Sequence, residues 1–240
     1  KPNVLIHSSA LVPVPFCNNN PKLAYELNVN GTERWFRAAH RISIPKFVFI
    51  STSHIFEPTL RPIQLAPNHA PNPISVYGKT KLDAELCLRQ LSHQFPETKI
   101  IVCRVFSLLS KIPRPGFLFT EINRRARERD FSPIPGLRNT RDFIFADDAC
   151  ERIISIAGAA STYLNNTDLD SGIFHVCTGV ATKVHDLVKT IFHQSNVSTD
   201  RIKEANSTLN TSSNYLIGLP TLLPGEEKLE SVDLRAKVRH

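Results

Sequence analysis

Residues Asn72–Phe95 read NPISVYGKTKLDAELCLRQLSHQF, and within them Tyr77, Lys81, Ala84, Leu88, Leu91 and Phe95 are spaced by four, three, four, three and four positions. That is the repeat of one helical face turned toward a core. A phenol and an ammonium therefore head a buried stripe. Each costs free energy there unless it finds a polar partner, so the pair marks a candidate site.

Working outward, a proline-rich loop at 57–73 separates this helix from Lys46–Ile50 (KFVFI), an apolar run of the kind found in strands covered on both faces of a parallel sheet. It empties into Ser51, Thr52 and Ser53. On the other side, Ile100–Val105 predicts a second buried strand ending at Phe106 and Ser107. Upstream, Val4–Ile6 predicts a short buried strand running into Ser8 and Ser9. An amphipathic helix over 21–40 follows, with Leu23, Leu27, Asn30, Arg34 and the Trp35/Phe36 pair on its stripe. Alternating strands and helices predict an α/β fold, a parallel sheet with helices on both faces. In such sheets ligands gather beyond the carboxyl ends of the strands, where this chain places its serines and threonine.

Past Lys111 the texture changes, with prolines at 113, 115, 133 and 135 flanking a charged helix. Arg141–Phe145 follows, then a helix over 147–160, a strand over 173–176, a helix over 184–194 and a Ser/Thr/Asn-rich stretch at 195–224 read as loop. The expected organisation is a main domain over 1–110 and a smaller lobe over 111–240, with 141–176 returning to the main sheet.

Composition sets the limits. An apolar content of 41% over 240 residues supplies a sizeable core, and a net charge of +7 favours anionic partners such as nucleic acid, a membrane surface or a phosphate-bearing small molecule. The densest basic cluster, Arg124, Arg125, Arg127 and Arg129, is interleaved with Glu121, Glu128 and Asp130 and reads as a solvated face. Five scattered cysteines without a C-x-x-C pair indicate reduced core residues of a cytosolic protein and no zinc site. Asn-x-Ser/Thr triplets at Asn30, Asn165, Asn196, Asn206 and Asn210 read as chance, and no apolar run reaches the roughly 18 residues of a membrane span.

The chemistry centres on Tyr77 and Lys81, at i and i+4 on one helix face. A free tyrosine titrates near about 10, and a cation held close lowers that value, so a tuned phenol can give or take a proton at a hydroxyl or carbonyl. Thr52 or Ser53, at a neighbouring strand end, could hydrogen-bond the same oxygen.

The segments VLIHSSALV, ELNVNGTERWFRAA, KFVFISTSHIF, PISVYGKTKLDAE, IIVCRVFS, TRDFIFADDACERI and GIFHVCTGVATKVHDLVKTI, in that order, resemble an extended short-chain dehydrogenase/reductase of the NAD-dependent epimerase/dehydratase family. The resemblance implies a Rossmann-like fold, NAD or NADP as cofactor and a nucleotide-sugar substrate. Tyr77 would be the catalytic acid/base, Lys81 its pKa-lowering partner and ribose contact, and Thr52 the group that binds the reacting oxygen. Ser8, Ser9, Ala10, Asn28, Ser51, Val105 and Ser107, with Tyr77 and Lys81, would line the cofactor, and Ser53, His54 and Arg141 the substrate. Arg141 matches an arginine that contacts the substrate diphosphate, though it could instead pair with Asp142, Asp147 or Asp148. Asp147-Asp148 resembles a helix-starting N-cap, and His175 reads as packing.

The resemblance also has departures. None of the nine glycines forms G-x-x-G-x-x-G, so the family's first strands and Gly-rich turn are expected to be missing, with the chain starting at the equivalent of the fourth strand. Ser107–Lys111 replaces the asparagine and Tyr-Gly-Pro run of many members, and Asp233-Leu234 resembles a late D-x-x-K stretch. Ser53-His54 stands where a dehydratase carries an acidic pair, which favours epimerase or reductase. The expected setting is cytoplasmic, with no membrane or nucleic-acid partner and a homodimer as candidate assembly. Alternatives are an RNA-associated or non-catalytic protein on the same scaffold, or a reductase of a non-nucleotide carbonyl.

Overall fold

The computed structural model describes residues 2–163, 172–205, 213–223 and 226. In chain order the elements are β1 (Val4–His7), α1 (Val14–Asn19), α2 (Pro21–Tyr25), a π-helical turn (Glu26–Asn30), α3 (Gly31–Arg41), β2 (Lys46–Thr52), a 3-10 turn (Ser53–Ile55), β3 (Gln64–Leu65), α4 (Val76–Gln94), β4 (Lys99–Val105), β5 (Ser107–Leu109), α5 (Leu118–Glu128), β6 (Thr140–Phe145), α6 (Ala146–Tyr163), β7 (Ile173–Val176), β8 (Ala181–Lys183), α7 (Val184–Gln194) and β9 (Tyr215–Gly218).

The main sheet has the order β1-β2-β4-β7, every pair parallel. Successive side chains of its strands point to opposite faces, and helices cover both. Phe47, Phe49 and Val102 pack with Phe36 of α3 and Ala84, Leu88 and Leu91 of α4. Val48, Ile101 and Cys103 pack with Ile153 and Ile156 of α6. The parallel α/β architecture expected from the alternation is present. A second sheet runs β3-β9-β6-β5, with β8 antiparallel to β6. Phe143 and Phe145 of β6 bury against Ile122 and Ala126 of α5 and Leu187 and Ile191 of α7. Among the described residues no helix is long and apolar enough to cross a membrane.

Several expectations need correction. Of the 141–176 segment, Ile173–Val176 joins the main sheet, whereas Thr140–Phe145 nucleates the second one by pairing with β5, β8 and β9. The 195–224 stretch contains β9, which its polar composition hides. Strand β1 is only half covered, because its other edge has no neighbour among the described residues, and Ile6 is exposed. In the 21–40 region the buried face is Ala24, Asn28, Thr32, Phe36 and Ala39, while Leu23, Leu27 and Trp35 face outward. The π turn inserts an extra residue per turn and rotates the face away from the one that a regular 3.6 repeat projects. Asp147 and Asp148 stand inside the first turn of α6 and not at its N-cap, where they complement the positive end of the helix dipole. The triplets at Asn165, Asn206 and Asn210 and the Asp233-Leu234 segment lie outside the described residues.

Candidate active site

Helix α4 starts where local chemistry tells it to. Ser75 is the N-cap, its Oγ accepting from Gly78 N at 3.1 Å, and Pro73 precedes it. The buried face is the expected one: Tyr77, Lys81, Ala84, Leu88 and Leu91 are all buried, with Thr80 and Glu85 beside them. Strand β2 carries its polar residues to the carboxyl edge of the sheet, where Thr52 Oγ1 accepts from His54 N at 3.2 Å and closes the 3-10 turn. The same hydroxyl hydrogen-bonds the Tyr77 phenol. Thr52 is thus both a strand-end cap and the partner of Tyr77.

The electrostatics depart from expectation. Burial pushes the Tyr77 phenol up to about 12, against which the Thr52 hydrogen bond works in the opposite direction. The Lys81 ammonium rests 3.8 Å from the centroid of the Phe49 ring. Desolvation lowers Lys81 itself to about 7, opposed by the field of Glu85. In this arrangement the Tyr77 phenol is protonated at neutral pH, and the Lys81 amine, poised near neutrality, lies on an aromatic face.

His54 brings its ring edge-on to Tyr77, centroids 5.6 Å apart. Desolvation by the groups packed around its ring lowers its pKa although the residue is exposed overall, and the charge of Arg141 lowers it further. Arg141 is half-buried and donates to Thr140 O at 2.9 Å, Asn214 Oδ1 at 2.8 Å and Asn214 O at 3.2 Å. Burial lowers its pKa to about 10. It does not pair with Asp142, whose carboxylate instead accepts from Thr178 N, Thr178 Oγ1, Gly179 N and Gly218 N at 2.7 to 3.2 Å. Arg141 is therefore held by neutral oxygens, and no carboxylate among the described residues pairs with it.

Among the expected cofactor residues, Asn28 is fully buried and ties the loop after β1 in place. Its Oδ1 accepts from Leu11 N at 2.7 Å, and its Nδ2 donates to Leu11 O at 3.1 Å and Thr80 Oγ1 at 3.0 Å. Ser8 and Ser9 are exposed in that loop and Ala10 is half-buried. Ser51 faces away from the cleft, its hydroxyl donating to Glu85 Oε1. Val105 is buried at the end of β4, and Ser107 opens β5 opposite Phe143. Ser53 is buried in the 3-10 turn. Thr52, Tyr77, His54 and Arg141 are the set that the fold brings together.

Sequence reasoning missed four contributors. Gly78 permits the close approach of α4 to the 53–55 turn. Glu85 and Arg104 form a buried pair, and Asp142 knots β6 to the segment after β7 and to β9. Glu85 could have been found one turn beyond Lys81. The others carry no local signal. In the basic cluster Arg124 pairs with Glu121, Glu128 and Asp130, and Arg125 with Glu121.

A family profile described as NAD dependent epimerase/dehydratase family matches residues 1–169. The GDP-6-deoxy-D-talose 4-dehydrogenase of Aggregatibacter actinomycetemcomitans is 24% identical over 195 residues, which is 80% of this chain and 61% of that relative. This chain accordingly spans less than two thirds of that relative's length. Solved structures share the fold. The UDP-glucose 4-epimerase of Thermotoga maritima with UDP-glucose superposes with a TM-score of 0.77 at 19% identity, over 92% of this chain and 69% of that one. The Thermus thermophilus UDP-glucose 4-epimerase complex with NAD gives a TM-score of 0.74 at 17% identity, over 100% and 72%. The profile match runs from β1 through α6, well over half of the chain, and on it the chain belongs to the NAD dependent epimerase/dehydratase family.

Proposed function

We infer that this chain is the catalytic part of an NAD- or NADP-dependent enzyme that oxidises or reduces a carbon of a nucleotide-linked sugar, as an epimerase or 4-ketoreductase. The observation that carries the reading is the hydrogen bond between Thr52 and Tyr77, with the His54 ring against Tyr77 and in the field of Arg141, a guanidinium that no carboxylate neutralises among the described residues.

The chain's own chemistry suits a dinucleotide. Lys81 offers a buried cation that rests on a ring face and not on an oxygen, and the Ser8–Ala10 loop, ordered by Asn28, lies at the carboxyl end of β1. Lys81 would hold a ribose hydroxyl, with Ser8, Ser9 and Ala10 lining the dinucleotide. A bound nicotinamide would supply the hydride acceptor or donor. Tyr77, protonated at neutral pH, gives its proton to the carbonyl oxygen as that carbon is reduced. In the reverse direction the phenolate takes the hydroxyl proton as the carbon is oxidised. Thr52 hydrogen-bonds the same oxygen and keeps it on the phenol. Arg141 recognises the diphosphate, for which a forked, permanently charged donor is suited. The similarity to a GDP-6-deoxy-D-talose 4-dehydrogenase and a UDP-glucose 4-epimerase supports this substrate class. Ser53 and His54 after Thr52 favour epimerase or reductase over dehydratase.

The test is Tyr77→Phe in the full-length protein, assayed against a panel of UDP-, GDP- and dTDP-linked hexoses. Loss of a general acid/base lowers turnover by about 10²- to 10⁴-fold. Turnover equal to wild type would overturn the reading.

A further inference from the structure

A buried ion pair between β4 and α4 is not used in that chemistry. Arg104, on β4, donates from Nη2 to Glu85 Oε2 at 2.7 Å and from Nε to both carboxylate oxygens at 3.2 Å. Both side chains are almost fully enclosed, at 6% and 5% exposure. Arg104 Nη1 also donates to Pro67 O at 2.7 Å, and Ser51 Oγ donates to Glu85 Oε1. Ser51 and Arg104 are register partners across β2 and β4. One carboxylate on α4 is thereby pinned to two strands and, through Arg104, to the loop that precedes the helix.

That carboxylate lies one turn beyond Lys81 on the same buried face. The ring on which Lys81 rests, Phe49, stands two residues before Ser51 on β2. His7 on β1 is the other ionisable group on which the Lys81 charge acts among the described residues, and Tyr77 stands one turn before Lys81 on its own helix. Burial and the charge of Lys81 lower His7 to about 4, so it is neutral at neutral pH. Glu85 is the carboxylate whose field acts on Lys81.

We propose that Glu85, clamped by Arg104 and Ser51, is the positioning residue of the site: it sets the rotation of α4 on the sheet and keeps the Lys81 ammonium charged over Phe49. This rests on the reading of Lys81 as a site residue, but its consequence is a property of the folded chain and can be read without turnover. A buried ion pair adds little net stability and is costly to break from one side. The function of this pair is therefore to be sought in the charge it places one turn from Lys81.

The experiment follows the Nζ resonance of Lys81 by pH titration in ¹⁵N-lysine-labelled protein, assigned by its loss in Lys81→Gln. Glu85→Gln leaves Arg104 buried without a counter-charge and can fail on folding alone, so the deciding variant is Glu85→Gln/Arg104→Gln, which keeps volume and removes both charges. With fold retention checked by circular dichroism, the Lys81 midpoint in the double variant falls by about one pH unit, a tenfold change in the charged fraction at a given pH, as expected on losing the nearer of two opposite charges. Arg104→Gln alone raises the midpoint. A double variant with the wild-type midpoint overturns the proposal. Loss of turnover in Tyr77→Phe together with an unmoved midpoint would leave the catalytic reading standing and sink this one alone.

Discussion

The backbone carbonyl of His54 occupies the space into which a Cβ at Gly78 would project. Its carbon would lie 2.9 Å from that Cβ, with Pro73 Cβ at 3.1 Å on another side. Helix α4 can approach the 53–55 turn only because position 78 has no side chain, and this approach brings Tyr77 to Thr52. Gly78→Ala is therefore expected to push the helix start away from β2. The overpacking cost is about 1–3 kcal/mol, several degrees in Tm for a chain of this size. Thermal denaturation checks it. A Tm equal to or above wild type would show that the turn yields freely.

Arg141 is held by neutral oxygens, so its charge remains available to an anion. Arg141→Ala is expected to weaken UDP binding in the full-length protein by about 10- to 100-fold, the equivalent of a charge-assisted hydrogen bond or two. Arg141→Lys recovers only part, because an ammonium lacks the fork. Calorimetry with UDP measures both. Unchanged affinity in the alanine variant would point to a substrate without a diphosphate.

The Thr52 hydrogen bond lowers the Tyr77 pKa against the rise caused by burial. Thr52→Val removes that opposition, so the Tyr77 ionisation step is expected to move above its position near about 12. Absorbance at 295 nm, compared with Tyr77→Phe to isolate the step, follows it. For a phenol whose folded pKa exceeds its unfolded value, stability is fully present below about pH 10 and is lost as pH rises toward the folded value. Thr52→Val should extend the alkaline loss of stability to higher pH. A step that moves down would contradict the assigned hydrogen bond.

Acid stability has its own prediction. His7, whose Nε2 lies 3.0 Å from Thr32 Oγ1, is lowered to about 4 by burial and the Lys81 charge. His175, packed between Phe56 and Phe106, is lowered to about 3 by burial and the Arg104 charge. In both, the unfolded chain binds the proton more readily. Their contribution is complete above about pH 6.5 and is lost as pH falls toward 4 and 3, at up to about 1.4 kcal/mol per pH unit for each. Urea unfolding at pH 7 and pH 4.5 measures the loss. Replacing His175 by Phe should flatten the dependence, and an unchanged slope would refute the assignment.

Much of the main domain was legible because its signals are local and periodic. The buried face of α4 from Tyr77 to Leu91 follows from spacing alone, and α7 begins and ends at Val184 and Gln194 as its pattern predicts. The second sheet was less legible. Strand β9 lies in a polar stretch and becomes a strand by pairing with β3 and β6, with Gly218 N donating to Asp142. None of these contacts is near it in sequence. The 21–40 face was misplaced because a π turn cannot be read from hydrophobic spacing.

By itself, the sequence determined which residues could do chemistry and roughly where along the strands and helices they would stand, since apolar periodicity and turn residues act over a few positions. It placed Thr52 at a strand end and Tyr77 and Lys81 on one helical face. The tertiary structure decided their electrical states. Burial holds Tyr77 protonated, Phe49 and not the phenol receives the Lys81 ammonium, and Asp142 is engaged by Thr178, Gly179 and Gly218 and not by Arg141. Desolvation and Coulomb interactions depend on distance through space. The neighbours that matter come from distant segments: Gly218 and Asp142 are 76 residues apart.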